Sequence, residues 1–219
     1  MLTLSTLLWQ TFCMVTAKRK KKSSYHHGNL RQALIEAGLD LIEKKGIKSL
    51  TLREIGASAG VSRMAPYRHF ADKAALLAAI SEAGFVQFGD ALLAAKARAG
   101  PGARAQLSAM GVAYVRLAAE HHAHYEVMFS AATEVSEPLR AASEAARRAF
   151  LILEQTIREG QQEGVMQAGD SVTMARVVWA QVHGISTLRL YSDPCGPEGM
   201  GFLDFSSRVL QAGLAPARS

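Results

Sequence analysis

The sequence predicts an all-α protein of about nine helices. Three observations carry that prediction. Apolar residues recur at steps of three and four, as in Leu30, Leu34, Ala37 and Leu41, which lines one face of a helix. The two-residue alternation of strands is scarce. Proline is also scarce, with six in 219 residues, and it gathers with glycine at a few breaks such as Gly100-Pro101-Gly102.

Each element follows from these signals. The first helix is closed by Gly46, at the position where a left-handed residue ends a helix. A short helix runs from about Leu52 to Ala59, Gly60 breaks it, and another runs from about Arg63 to Phe70. A long helix spans Lys73 to about Ala99, with Leu77, Ile80, Gly84, Phe88 and Leu92 on one stripe. Leu107, Met110, Tyr114 and Leu117 mark the next helix, and Tyr125, Met128 and Phe129 a short one. Ser136 is placed to cap a helix from Glu137 to about Glu163, with Ala146, Phe150, Leu153 and Ile157 inward. Asp170 is placed to cap another that reaches about Tyr191. A loop from Asp193 to Gly201, holding Pro194 and Pro197, leads to a last helix with Phe202, Phe205 and Val209. No repeat of solenoid period is present.

Composition is ordinary for a globular chain of one or two domains, with 49% apolar and 20% charged residues. The net charge of +6 is unevenly placed. Between Ala17 and Leu77 there are 13 Lys and Arg against 5 Asp and Glu, and elsewhere 12 against 14. A basic module is thus joined to a nearly neutral one, which calls for an acidic partner, nucleic acid or membrane surface. Cys13 and Cys195 have neither metal-ligand spacing nor a disulfide framework, which fits a reducing, cytoplasmic setting. The apolar run Leu2 to Val15 precedes Lys18-Arg19-Lys20-Lys21-Lys22, the reverse of a secretory signal, and is shorter than the ~20 residues a bilayer needs. Residues 1–24 are expected to be a disordered extension, with Met14 offering a shorter start. Its basic run is either a solvated charge cluster or an arm adding phosphate or minor-groove contacts.

The decisive stretch is residues 51–70. Thr51 and Glu54 form a capping box that starts a helix. Gly60 ends it and bends the chain, and Ser62 is placed to cap a second helix. Ile55, Ala59, Val61 and Phe70 are placed to hold the two together. Two short helices around a glycine turn on a basic module make a helix-turn-helix. Arg53, Arg63 and Arg68 are the residues here able to pair bidentately with guanine, and Met64 and Ala65 suit thymine methyl groups. Pro66 lacks the amide that a helix would use there, so the second helix is expected to begin with a tighter turn.

The segment from Tyr25 to Leu77 resembles the DNA-binding domain of the tetracycline-repressor (TetR) family. The resemblance is carried by Gly46, Thr51-Leu52-Arg53-Glu54-Ile55, Gly60-Val61-Ser62, Tyr67-Arg68-His69-Phe70, Asp72-Lys73 and Leu76-Leu77. It implies that Thr51, Tyr67, His69 and Lys73 grip phosphates. It also implies that Arg53 and the start of the second helix, from Ser62 and Arg63 onward, face base edges. Hydroxyl, imidazole and ammonium donors suit phosphate oxygens, and the helix N-terminus at Ser62 adds amides.

Trp179-Ala180-Gln181-Val182-His183-Gly184 resembles the Trp-x-x-x-His-Gly segment of one subclass of C-terminal domains in that family. The family pairs its last two helices with those of a second copy, so this chain is expected to form a homodimer, with Val178 and Val182 at the interface. Trp179 and His183 are neighbours on one helix face. They suit either the wall of a pocket for a largely apolar effector, joined by Tyr125, Met128 and Phe129, or a plain core. His121, His122 and His124 lack a completing ligand at recognisable spacing, so no metal is expected, nor any cofactor.

The expected organisation is an extension over 1–24, a DNA-binding domain of three helices over 25–84, and a helical effector-binding and dimerisation domain over 85–219. The expected function is a ligand-responsive regulator, most simply a repressor on a palindromic operator. An enzyme would need a phosphate loop, nucleophile elbow or paired carboxylates, none of which the sequence offers. The other alternative is a membrane-associated adaptor using the N-terminal apolar run.

Overall fold

The computed structural model describes residues 29–130, 138–188 and 197–216. Eight α-helices run through them: α1 (Leu30–Lys45), α2 (Leu52–Ser58), α3 (Lys73–Arg98), α4 (Ala103–Glu120), α5 (His122–Ser130), α6 (Pro138–Gln162), α7 (Ser171–Leu188) and α8 (Pro197–Leu214). Short 3-10 turns occupy Ile47–Ser49 and Pro66–Arg68. No strand occurs among the described residues, and the chain is all-α as expected. Among the described residues the α-helix expected over 63–70 is replaced by turns and a 3-10 segment, which leaves eight, close to the expected number. The apolar run 2–15, the basic run 18–22, the Ser136 cap and Cys195 lie outside the described residues.

Helix starts are satisfied by side chains, because the first amides of a helix have no partner within it. Asn29 accepts from the Gln32 amide at 3.2 Å and Asp72 from the Ala75 amide at 2.8 Å. Asp170 takes the Val172 and Thr173 amides at 3.0 and 3.2 Å, as its position before the helix predicts. α8 begins at Pro197, inside the stretch expected as loop, since proline's fixed φ and missing amide suit a first turn. α3 is long and apolar enough to cross a membrane by composition, yet half of its most apolar stretch is buried within the protein, as in a core helix.

The chain forms two compact units. The first holds residues 29–87 together with 121–130 and 138–147, so it reaches into a stretch that a linear division at 84 assigns to the second domain. The reason is apolar. Ala123 and Val127 of α5 belong to the same core as Leu34, Ile42, Leu50, Ile55, Phe70, Leu76 and Ile80. Ala59 and Val61 pack against that core, beside Ile55 and Phe70. The second unit holds 88–120, 148–188 and 197–216. There α4 packs on α7 and α8, around Leu107, Ile157, Met166, Ala175, Val178 and Leu214 and a smaller cluster of Val115, Ile185 and Leu203. Lys96 pairs with Glu159 at 2.6 Å, and Gln181 donates to the Ser206 carbonyl at 2.9 Å, joining α7 to α8.

Candidate functional site

In the first unit, α2 is built as the sequence indicates. Thr51 Oγ1 accepts from the Glu54 amide at 3.3 Å, and its hydroxyl donates to Glu54 Oε2 at 2.6 Å. The Lys45 ammonium stands 2.5 Å from Glu54 Oε1. That ammonium first, and the Thr51 hydroxyl second, hold the Glu54 carboxyl below the usual carboxylate range. The other nearby carboxylate, Asp72, is engaged as the cap of α3. The exposed guanidinium groups of Arg53, Arg63 and Arg68 stand free of these two contacts.

Beyond α2 the chain turns at Gly60, whose φ is +71°. Val61 donates to the Gly56 carbonyl at 2.9 Å and Gly60 to the Ala57 carbonyl at 3.2 Å, the pairing of a Schellman turn. The Ser62 carbonyl accepts from the Ala65 amide at 3.0 Å. A regular α-helix over 63–70, expected from the sequence, does not form. The amide that would continue it from Ser62 belongs to Pro66, which has none, so the tighter turn extends into the 3-10 segment. Pro66 and Phe70 point inward, and the Arg31 guanidinium lies 5.5 Å from the Phe70 ring centre.

The opposite face carries the residues expected to touch DNA. Thr51, Arg53, Ser62, Arg63, Arg68 and His69 are exposed, Met64 is 66% and Tyr67 48% exposed, and Ala65 and Lys73 are half-buried. The Lys73 ammonium donates to the Lys48 carbonyl at 3.1 Å, which fixes its place at the start of α3 and leaves its other two protons for an acceptor.

The residues expected to line an effector pocket divide between the units. Tyr125, Met128 and Phe129 lie on α5 in the first unit. Tyr125 and Met128 are buried, and Phe129 packs edge-on to Phe85 with ring centres 5.6 Å apart. A Cβ on Gly84 would stand 2.7 Å from Met128 Sδ, so that glycine admits the methionine. His124, close by, is held below its ordinary value by burial and then by His121. No group of three or more metal-ligating side chains occurs among the described residues.

Trp179 and His183 lie on α7 in the second unit, and Tyr114 of α4 reaches both. Trp179 Nε1 donates to the Tyr114 hydroxyl oxygen at 3.2 Å, and that hydroxyl lies 2.9 Å from His183 Nδ1. The indole proton can only be given, and the Tyr114 hydroxyl, able both to accept and to donate, links it to the His183 imidazole. Burial pushes the His183 imidazole below its ordinary value. Phe88 stacks edge-on against Tyr114 at 4.9 Å, and Phe150 lies 6.1 Å from Trp179. The sequence marks Tyr114 only as a member of an apolar stripe, and nothing in it shows that its hydroxyl joins the two motif residues.

α7 and α8 present outward apolar stripes. Val177 is 55% exposed, and Ala180, Gly184 and Leu188 follow it on the same face. On α8, Phe205 is 59% exposed, with Gly201, Val209 and Ala212 alongside. Val178 is instead part of the core of the unit, which corrects its expected place at an interface, while Val182 is half-buried with one methyl near Gly111 of α4. An all-round apolar helix does not reveal in sequence which side meets its own chain.

Comparison with known proteins agrees with this architecture. The family model described as bacterial regulatory proteins, tetR family, matches residues 34–80, and that described as tetracyclin repressor-like, C-terminal domain, matches 107–197. No curated protein sequence matches the chain. Among solved structures, a protein of unknown function from Rhodococcus sp. RHA1 is 32% identical with a TM-score of 0.77, over 89% of this chain and all of its own. A bacterial regulatory protein in the tetR family from Rhodococcus RHA1 is 22% identical with a TM-score of 0.70, over 86% of this chain and 98% of its own. AibR, solved in complex with isovaleryl coenzyme A and operator DNA, is 19% identical with a TM-score of 0.64, over 86% of this chain and 99% of its own.

Proposed function

The chain belongs to the tetR family of bacterial regulatory proteins, and from that premise we propose a ligand-responsive repressor that a small molecule releases from a palindromic operator. The observation that carries the DNA-reading part is the exposed rim of residues 51–73. Thr51, Tyr67, His69 and Lys73 hold phosphates, while Arg53, Ser62, Arg63, Met64, Ala65 and Arg68 lie against base edges and the groove wall. Thr51 meets a phosphate by turning its hydroxyl proton away from Glu54, or through its backbone amide.

Two copies bind together. One short head makes few base contacts, and the outward stripes of α7 and α8 offer a face for a second copy. A Cβ on Gly184 would meet nothing within 4 Å in the chain itself, which leaves room for a close helix. The effector is small and largely apolar. Its site is bordered by Trp179 and His183 of the second unit, and the likeness of 179–184 to the Trp-x-x-x-His-Gly segment supports the corresponding subclass. AibR, whose structure holds isovaleryl coenzyme A and operator DNA together, is a precedent for such a pairing in this fold. The protein acts in the cytoplasm by binding and not by catalysis.

Nuclease footprinting on DNA upstream of the coding region tests this. Two protected half-sites are expected about 34–36 Å apart, one helical turn. Protection should disappear when an inducer found by screening small apolar compounds is added. Protection of a single isolated half-site, or of no site, would contradict the reading.

A further inference from the structure

α2 and the reading segment after it meet at one close contact. A Cβ built on Gly56 would stand 2.9 Å from Cγ and 3.3 Å from Cδ of Pro66, closer than side chains pack. Both residues are buried, so neither can reach a nucleic acid. Gly56 also offers its carbonyl to the Val61 amide, so the residue that admits the proline ring anchors the turn as well.

The consequence is the pitch of the segment that displays Arg63, Met64, Tyr67 and Arg68. The Ala65 amide goes to the Ser62 carbonyl and the Arg68 amide to the Ala65 carbonyl, each three residues back. A 3-10 segment turns about 120° per residue against about 100° in an α-helix. From Ala65 to Arg68 the bearing therefore differs by about 60° from that of a regular helix. An arginine turned by that angle addresses a different base edge, or none.

We propose that Gly56 and Pro66 form a lock that sets operator preference from inside the domain, by holding the reading segment in its tight form. Pro66 withholds an amide, Gly56 makes room for the ring, and the pair fixes which base edges the exposed side chains meet. They are positioning residues, and the inference rests on the assignment of this rim to DNA reading.

The test is selection of binding sites from a duplex library with a randomised core, using the full chain. Wild type is compared with Pro66→Ala, Gly56→Ala and the double variant. Pro66→Ala restores the amide and lets the segment wind as an α-helix. Its selected consensus should change in each half-site, and its discrimination between the wild-type site and random duplex should fall at least tenfold. Affinity for random duplex should stay within twofold. Gly56→Ala drives a methyl group into the ring and should also lose discrimination and lower the unfolding midpoint. The double variant should recover the discrimination and midpoint of Pro66→Ala. Pro66→Leu, which fills the vacated volume, carries the test if the alanine variant does not fold. An unchanged consensus in the folded variants, with only the midpoint moved, would overturn the lock and leave DNA reading intact. A wild-type chain that selects no site would overturn the DNA-reading assignment and this inference with it.

Discussion

Arg63 and Lys73 carry the same charge at different ends of the reading segment, and their surroundings divide their work. Lys73 is held by the Lys48 carbonyl at the start of α3, where a point charge suits a phosphate. Lys73→Ala should weaken operator and random DNA alike and lower the salt slope by about one. Arg63 is exposed just beyond the turn, and Arg63→Ala should remove roughly 1–3 kcal/mol of operator preference. Equal losses of preference in competition titrations of both variants would contradict that division. The histidines make a separate prediction. His124 and His183 are both pushed down by burial, so the unfolded chain binds protons more readily than the folded one. Stability should therefore be full above about pH 6.5 and fall as the pH drops below it, and His183→Gln should remove part of that slope. A denaturation midpoint flat between pH 7.5 and 5 would exclude it. Residue identity made the reading face legible, since Thr, Arg, Tyr, His and Lys are poor core residues and stand in a recognisable order. Tyr114 was not legible, because a tyrosine at helical spacing reads as core and its partners are 65 and 69 positions away.

Helices were legible wherever a cap and an apolar period agreed, as at Thr51 and Asp170. The segment 63–70 departs from its expected α-helix because one missing amide outweighs a favourable local pattern, and the tight packing of Pro66 on Gly56 is not written in either residue alone. α7 departs in a different way. Its apolar character is legible, but its inner side is chosen by α4 and α8, so Val178 goes to the core and Val177 to the surface. Phe205→Glu should raise the dimer dissociation constant at least about thirtyfold, as loss of a central aromatic of about 2 kcal/mol implies, while leaving the fold intact. Val178→Asp should instead unfold the second unit, because it buries a charge without a partner. Sedimentation equilibrium with circular dichroism separates the two, and a dimer unaffected by Phe205→Glu would remove the α8 face from the interface.

The division of the molecule was only partly written in the charge pattern. The basic first third points to a separate DNA-binding module, but α5 joins that module's core through Ala123 and Val127, a long-range packing that no local signal announces. α3 and α6 each contribute to both units, so two of the three crossings between described residues run inside helices, and the third falls at His121 between α4 and α5. A repressor needs such continuity, because an effector can release DNA only through its different affinity for two states of the same molecule. Reciprocity follows: operator DNA should weaken the inducer by the factor with which the inducer weakens the operator, measurable by calorimetry with and without DNA. The central claim, that residues 51–73 read DNA sequence, is tested most directly by anisotropy titration of a selected operator and a scrambled duplex across a range of salt concentrations. The account predicts a preference for the operator of at least about a thousandfold, with both affinities falling linearly as log K against log salt. Equal affinity for the two duplexes at every salt concentration would contradict it.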